Sequence, residues 1–211
     1  MSSVVKIKGK IMRITEAKFL QSAQGIADSP SPNRAEVAFL GRSNVGKSSL
    51  LNTLTNRKGL AKSSSTPGKT QLINYFEINF KTDNEELPYL YARFVDLPGF
   101  GYAKVSKSIK AEWNRNLTAY LEQRQCLQIF VHLIDSRHPL LDIDKNVDEF
   151  LRTIKRGDQI IIQAFTKIDK LKMNDLAKLK REYPEGIFIS NLKKKGMIDL
   201  QNRITGYLFG H

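Results

Sequence analysis

The stretch Gly41-Arg42-Ser43-Asn44-Val45-Gly46-Lys47-Ser48 decides the fold, because it fits the pattern G-x-x-x-x-G-K-[ST] of a phosphate-binding loop. Its glycines let backbone N–H groups cradle phosphate oxygens, Lys47 can reach the terminal phosphates, and the Ser48 hydroxyl can bind Mg²⁺. The apolar residues 37–40 suit a buried strand before the loop, and residues 48–54 suit a helix whose amino end faces the phosphates. This order predicts a nucleoside-triphosphate site.

The composition bounds the class of protein. The 211 residues are 41% hydrophobic and 26% charged, which indicates a globular chain long enough for one α/β domain. No segment has the length and apolarity of a membrane span, and residues 1–10 lack an apolar signal core, so we expect a soluble, cytoplasmic monomer. Cys126 is the only cysteine, which excludes an internal disulfide and agrees with a reducing compartment.

The net charge of +13 is unevenly distributed. Residues 1–70 carry 12 basic and 3 acidic side chains, residues 71–140 carry 8 of each, and residues 141–211 carry 14 and 10. One triphosphate cannot account for this excess, which suits nucleic acid or an anionic membrane. Because no lysine-rich amphipathic helix with an aromatic face is visible, we favour RNA over a membrane. The alternative is a lysine-rich surface that serves only solubility.

Hydrophobic patterning predicts strands that alternate with helices along the rest of the chain. After the strand at 37–40, further strands are predicted at 71–80, 89–95, 128–134, 159–165 and 186–189. Further helices are predicted at 109–124, 142–156, 175–183 and 198–208. A short acidic loop joins the strands at 71–80 and 89–95, which indicates an antiparallel pair at one edge of the sheet.

We therefore predict an α/β fold with a mostly parallel, six-stranded sheet, one antiparallel edge strand, and helices on both faces. Residues 1–35 are expected to form a basic N-terminal extension belonging to this domain, whose main part is residues 36–211. Residues 6–14 alternate partly between apolar and polar side chains, which suggests either a basic extension or a short edge strand. The nucleotide should lie at the carboxyl ends of the parallel strands.

Two further motifs follow predicted strands. Asp96-Leu97-Pro98-Gly99 would bring a carboxylate toward a Mg²⁺ and a glycine N–H toward a terminal phosphate. Thr166-Lys167-Ile168-Asp169 is similar to the guanine signature [NT]-K-x-D. A carboxylate there accepts hydrogen bonds from N1–H and the N2 amine of guanine, and adenine lacks both donors in that arrangement. The stem of Lys167 can cover the base. Ser190-Asn191 is either a turn pair or a guanine O6 contact.

Together these motifs resemble the EngB family of GTPases, also called YihA or YsxC. The resemblance runs from about residue 36 to 196, through G-R-S-N-V-G-K-S-S, S-S-S-T-P-G-K-T-Q, D-L-P-G-F-G-Y-A-K-V, T-K-I-D and S-N-L-K-K-K-G. It implies a bacterial GTPase that binds GTP or GDP with Mg²⁺ and is needed for cell division and late assembly of the large ribosomal subunit. That role agrees with the rRNA partner suggested by the charge. The family more often has S-S or S-A where this chain has Ser190-Asn191.

The resemblance also implies a set of site residues. Nucleotide contacts are expected at Gly41, Arg42, Ser43, Asn44, Val45, Gly46, Lys47, Ser48, Gly68, Lys69, Thr70, Gln71, Leu72, Asp96, Leu97, Pro98, Gly99, Thr166, Lys167, Ile168, Asp169, Ile189, Ser190 and Asn191. Mg²⁺ is expected on Ser48 and Thr70, with Asp96 outside its direct ligands. The residues alone leave Thr66 and Thr70 as candidates for the switch threonine, and the resemblance selects Thr70. Catalysis is assigned to Lys47, Thr70, Gly99 and Asn44.

The residue after Gly99 bears on the rate of hydrolysis. Many GTPases carry a water-orienting glutamine there, and this chain has Phe100, which predicts slow intrinsic hydrolysis. Asn44 could ligate a K⁺, as in related bacterial GTPases, or brace the loop through its side chain. His132, in a core strand, is expected to be buried and hydrogen-bonded.

Three functional hypotheses follow from these patterns. In the first, GTP orders the loops at 63–70 and 99–107 and creates a ribosome-binding surface. In the second, the protein is an RNA- or ribosome-binding module in which the nucleotide is mainly structural. A third, an ATP-dependent small-molecule kinase, is disfavoured because Asp169 selects guanine and no separate acceptor domain fits the length.

Overall fold

The computed structural model describes residues 12–62, 72–99, 107–139 and 141–210, and gives only the backbone of residues 107–114. The strands of this part are β1 (Arg13–Ala23), β2 (Glu36–Gly41), β3 (Ile73–Lys81), β4 (Tyr89–Asp96), β5 (Leu127–Asp135), β6 (Ile160–Thr166) and β7 (Ile187–Phe188). Its α-helices are α1 (Lys47–Leu54), α2 (Lys107–Gln123), α3 (Asp142–Ile154), α4 (Met173–Glu182) and α5 (Met197–Phe209). A 3₁₀ turn spans Ile168–Lys170.

The described strands form one seven-stranded sheet in the order β1-β3-β4-β2-β5-β6-β7. The strands from β4 to β7 pair in parallel, and β3 is antiparallel to both of its neighbours, β4 and β1. The mostly parallel sheet with an antiparallel edge is thus confirmed, but the sheet has seven strands and not the six predicted. The reversed strand β3 lies second from the edge, because β1 pairs along its outer side.

A short edge strand was one alternative for residues 6–14, and the local sequence of β1 explains why residues 15–23 were not predicted as a strand. Among its eleven residues only Ala17 and Ala23 are buried, while Phe19 and Leu20 are exposed. A strand at a sheet edge that buries two alanines lacks the alternation of apolar and polar residues on which the prediction of strands depends. Its place is fixed instead by its ladder with β3, which runs from Arg13 opposite Lys81 to Ala23 opposite Ile73.

Helices cover both faces of the sheet, as predicted. On one face α1 and α5 pack on the strands in a cluster that includes Leu50, Phe39, Phe94, Leu200 and Ile204. On the other face α2 and α3 pack in a second cluster, and α4 packs through Leu179 on Phe165 and Ile134. None of the helices in the described part of the chain has the length and apolarity needed to cross a membrane.

A buried charged network holds the amino ends of the central strands. Glu36, fully buried at the start of β2, accepts hydrogen bonds from Arg124 Nε at 2.9 Å and from the Tyr120 hydroxyl at 3.0 Å. Arg93 Nη1 lies 3.7 Å from the same carboxylate and donates to Ser31 O at 2.6 Å. This network joins β2, β4, the end of α2 and the loop before β2 at the edge remote from the phosphate loop.

The parallel pairing brings the motifs together at the opposite edge. Phe39 lies opposite Asp96, Gly41 lies opposite Leu133, and Asp135 lies opposite Thr166. The phosphate loop, the turn after β4 and the turn after β6 therefore leave the sheet side by side. This is the edge at which parallel α/β sheets bind ligands.

Candidate nucleotide-binding site

The loop between β2 and α1 has the backbone geometry of an anion-binding nest. Asn44 and Gly46 both have positive φ, at 62° and 103°, and Gly46 directly precedes α1. Left-handed residues turn successive N–H groups toward one side, and the amino end of a helix adds a positive partial charge. Gly46 is needed because a φ near 100° is strained for any residue with a Cβ.

The turn after β4 packs directly on this loop. Lys47 Nζ forms an ion pair with Asp96 Oδ1, and both side chains are largely buried. A Cβ on Gly99 would lie 2.8 Å from Ser43 Oγ and 3.2 Å from Ser43 N, so only glycine permits this approach. The structure thus brings together Lys47, Asp96 and Gly99, as the sequence predicted, and buries Leu97 and Pro98 beneath them.

Three side chains from the segments predicted to bind the base donate hydrogen bonds to carbonyls of the phosphate loop. Thr166 Oγ1 donates to Val45 O at 2.7 Å, Lys167 Nζ donates to Asn44 O at 2.6 Å, and Asn191 Nδ2 donates to Gly46 O at 3.1 Å. Three consecutive carbonyls are thereby occupied. The Val45 N–H donates to Arg42 O at 3.2 Å, and the loop can direct its other N–H groups at an anion.

Asp169 lies on the 3₁₀ turn after β6 and contacts the last loop of the sheet. Its Oδ1 accepts a hydrogen bond from Ser190 Oγ at 2.6 Å, and this bond lowers the pKa of the carboxyl. Ser190 is fully buried and is held by paired backbone hydrogen bonds with Lys195. A carboxylate fixed in its ionised form at this position can accept hydrogen bonds from the paired N–H donors of guanine.

Two of the predicted site residues make contacts that were not predicted. The stem of Lys167 is expected to cover the base, and its ammonium binds Asn44 O and, at 2.9 Å, Asp135 Oδ2. The side chain of Asn191 reaches the phosphate loop and not only the space around the base. The side chain of Asn44 is exposed and makes no hydrogen bond to any residue that the structure describes, so the loop is braced through its backbone. Its predicted K⁺ contact stays a prediction.

Asp135, which was not predicted as a site residue, ends β5 opposite Thr166 at the carboxyl edge of the sheet. It accepts hydrogen bonds from Lys167 and from Arg137, whose Nη2 lies 2.7 Å from Oδ2. Burial opposes its ionisation, but these two partners hold the pKa of Asp135 well below its usual range. The signal was present in the sequence, because Asp135 closes a core strand in the same way as Asp96.

A second missed contact joins the phosphate loop to α3. Arg42 Nε lies 2.9 Å from Oδ2 of Asp144, a carboxylate that is almost fully buried. Burial raises the pKa of Asp144, and the Arg42 charge offsets only part of this effect.

His132, in β5, is buried, as expected. The expectation that it is hydrogen-bonded was wrong, since neither ring nitrogen has a partner among the described residues. Its Nδ1 lies 4.0 Å from Asp148, and this contact, with hydrogen bonds from Arg152 and Gln163, lowers the pKa of Asp148 to about 2.

The remaining polar groups fit a nucleotide with Mg²⁺. Ser43 Oγ and Asn191 Oδ1 are buried beside the loop without a hydrogen-bond partner in the described part of the chain. Within that part, no group of three or more His, Cys, Asp or Glu could hold a metal ion. In nucleotide sites Mg²⁺ uses few protein ligands and takes phosphate and water oxygens. Ser48 follows Lys47 in the first turn of α1, and its hydroxyl and the Asp96 carboxylate offer oxygen atoms at this site.

Several predicted residues cannot be placed. Gly68, Lys69, Thr70 and Gln71, the alternative threonine Thr66, and Phe100 lie outside the described residues. Leu72 is exposed just before β3, and Ile189, fully buried, donates its N–H to Phe165 O at 2.8 Å.

Comparison with known proteins agrees with this geometry. Residues 36–167 match the family described as 50S ribosome-binding GTPase. The "Probable GTP-binding protein EngB" of Aliarcobacter butzleri (strain RM4018) is 78% identical over 200 residues, which cover 95% of this chain and 100% of that protein. The chain belongs to the EngB family of GTP-binding proteins. The predicted family and α/β GTPase fold are confirmed.

Other EngB proteins show the same relation. The protein of that name from Campylobacter lari (strain RM2100 / D67 / ATCC BAA-1060) is 55% identical over 191 residues, 90% of this chain and 94% of the relative. A crystal structure of a probable GTP-binding protein EngB superposes with a TM-score of 0.59 at 25% identity, covering 82% of this chain and 98% of that one. Guanine-nucleotide binding and GTPase family membership follow for this chain.

Proposed function

We propose that this EngB protein is a slowly hydrolysing GTP switch of the cytoplasm that acts in assembly of the large ribosomal subunit and is needed for normal cell division. The observation that carries the proposal is that residues suited to phosphate and residues suited to guanine lie on two sides of the phosphate loop. Lys47 and Asp96 lie on its phosphate side, and Asp169 with Ser190 lies on its base side. The family description as ribosome-binding GTPases and the net charge of +13 support a ribosomal partner.

We assign the phosphates to the N–H groups of residues 42–48 and to Lys47, and the guanine to Asp169. When bound, Mg²⁺ neutralises phosphate charge, and Ser48 and Thr70 would hold it, with Asp96 behind them. Nucleotide binding requires Lys47 to exchange part of its contact with Asp96 for phosphate oxygens. The positioned lysine and the Gly99 N–H then stabilise charge on the terminal phosphate.

We infer slow hydrolysis because Phe100 follows Gly99 and carries no group that could orient water. Asn44, at the exposed tip of the loop, is our candidate for a K⁺ ligand. Turnover measured in KCl and in NaCl, for the wild type and for Asn44→Ala, tests this role. Equal rates in both salts would remove K⁺ from the proposal.

The switch is tested by co-sedimentation with purified large ribosomal subunits in the presence of GDP or a non-hydrolysable GTP analogue. We expect stronger binding with the analogue, and no difference between nucleotides for Lys47→Ala. Equal binding of the wild type in both states would reject the switch. If that binding also survived Lys47→Ala, the alternative of an RNA-binding module with a structural nucleotide would be favoured.

A further inference from the structure

The sheet ends at β7, which has two residues and no described strand on its outer side. Helix α4 lies on one face of this edge and α5 on the other, and together they bound a groove of about 940 Å³. Its lining includes the apolar side chains of Ile187 and Phe188 beside polar and charged residues from α4, α5 and the segment before α5. We call this feature the α4–β7–α5 groove.

Positive charge dominates the groove. Lys180 on α4, Lys195 before α5 and Arg203 on α5 line it, against a single acid, Asp199. Arg203 lies 3.5 Å from Glu185, but that glutamate is 87% exposed, so the pair is solvated and weak. Over residues 167–211, Lys and Arg outnumber Asp and Glu by ten to five. The groove therefore suits a polyanion.

Two aromatic rings lie among these cations. Tyr207 is 37% exposed, and its hydroxyl donates to Asp158 O at 2.7 Å, which fixes the ring on the α5 wall. The half-buried ring of Phe188 has Lys180 Nζ at 5.6 Å from its centre. Cations along a groove with rings between them are what single-stranded nucleic acid requires, because phosphates pair with the cations and bases stack on the rings.

We propose that the α4–β7–α5 groove binds a single-stranded segment of RNA. Lys180, Lys195 and Arg203 contact its phosphates, and Tyr207 stacks on a base. The inference rests on the proposed function, in which rRNA is the partner, and it names the surface. A neutral peptide could add a strand to β7, but it would leave three cations without partners. The groove lies beside the nucleotide site, since Lys195 belongs to the loop that carries Ser190.

The charge contacts are tested with a fluorescein-labelled oligouridine of about 12 nucleotides in an anisotropy titration over a salt series. Lys180→Ala with Arg203→Ala removes two phosphate contacts. We expect at least a tenfold loss of affinity and a salt slope flatter by about 1.4, at about 0.7 per phosphate. The matched control is Lys178→Ala with Arg181→Ala, two exposed residues of α4 outside the groove. Equal losses in both double variants would overturn the proposal.

The stacking contact is tested in the same titration with Tyr207→Ala and Tyr207→Phe. Loss of the ring should weaken binding by between about 5-fold and 150-fold, whereas the phenylalanine variant should bind much as the wild type does. Binding of the alanine variant with wild-type affinity would overturn the assignment of Tyr207. The thermal unfolding midpoint of each variant shows whether it is folded.

Large ribosomal subunits separate this inference from the proposed function. If the wild type distinguishes GTP from GDP and only the groove variants lose subunit and oligouridine binding, both stand. Groove variants that bind subunits and oligouridine normally would overturn the groove alone. If the wild type bound large subunits equally with GDP and with the GTP analogue, the switch would be rejected. The oligouridine titration would still show whether the groove binds RNA. Loss of subunit binding with oligouridine binding intact would assign the groove to a ribosomal protein and overturn the RNA proposal.

Discussion

Single hydrogen bonds from neighbouring segments shape the phosphate loop. Thr166, Lys167 and Asn191 each donate to one of its carbonyls, and Arg42 binds the buried carboxylate of Asp144. Because residues of the predicted base-binding segments make three of these contacts, we expect base binding to affect the shape of the phosphate loop.

Thr166→Val tests this coupling at one atom. The substitution keeps the shape of a fully buried side chain and leaves Val45 O without its donor. Loss of one neutral hydrogen bond costs about 1 kcal/mol, so we expect roughly fivefold weaker GDP binding in calorimetry. Thr153→Val, on the exposed side of α3, is the control and should leave affinity unchanged. If both variants bind GDP alike, Thr166 does not shape the loop.

The single residues that could be predicted from the sequence are those that stand in short motifs. The sequence placed Lys47, Asp96, Gly99 and Asp169 at one edge, because each stands in a short pattern directly after a strand. It did not place Asp135 or Asp144. Asp135 ends a core strand as Asp96 does, so its place at this edge could be predicted, whereas Asp144 pairs with Arg42, 102 residues away along the chain, and so distant a pair leaves no local pattern.

Among the larger elements, the turn after β4 owes its position to close contact with the loop after β2. Gly99→Ala would place a Cβ 2.8 Å from Ser43 Oγ and push the two segments apart. Overpacking of this kind costs about 1–3 kcal/mol. We expect the affinity for a GTP analogue to fall at least tenfold, with a smaller effect on GDP, because Gly99 is assigned to the terminal phosphate.

Gly157 after α3 offers a matched control. A Cβ there meets no atom within 4 Å, so Gly157→Ala should bind both nucleotides as the wild type does. A Gly99→Ala variant that lost GDP and GTP-analogue affinity equally would argue against the contact with the terminal phosphate.

Elements with strong internal patterning were predictable, and β1 was not. The core strands and amphipathic helices were found within a few residues of their observed ends, since burial on one or both faces sets their periodicity. Strand β1 buries two alanines and is defined by its pairing with β3. Pairing with residues that lie from 50 (Ala23 with Ile73) to 68 (Arg13 with Lys81) positions away along the chain cannot be predicted from the sequence of the strand itself.

In the whole molecule, a buried charged network and the nucleotide site lie at opposite edges of the sheet. Glu36 joins Arg124, Tyr120 and Arg93 at the amino edge, while the nucleotide site lies at the carboxyl edge. Glu36→Ala would leave two buried arginines without their carboxylate. Breaking a buried ion pair by removing one partner costs about 3–5 kcal/mol.

We therefore expect urea denaturation of Glu36→Ala to show a loss of about that size, with GDP affinity near that of the wild type at temperatures where the variant is folded. Glu122→Ala, an exposed glutamate of α2, should change stability by less than about 0.5 kcal/mol. A Glu36→Ala variant as stable as Glu122→Ala would show that the network contributes little to folding.

A guanine-selective site around Asp169 is best tested by the affinity of the wild type and Asp169→Asn for GTP, ATP and XTP. This assignment predicts that the wild type prefers GTP by more than about 100-fold, because adenine and xanthine lack the paired donors that the carboxylate needs. In Asp169→Asn, the amide N–H can donate to the 2-oxo group of xanthine, so XTP should replace GTP as the preferred ligand, while Asp175→Asn should bind as the wild type does. A wild type that preferred ATP, or an Asp169→Asn variant that kept GTP and gained no XTP, would contradict it.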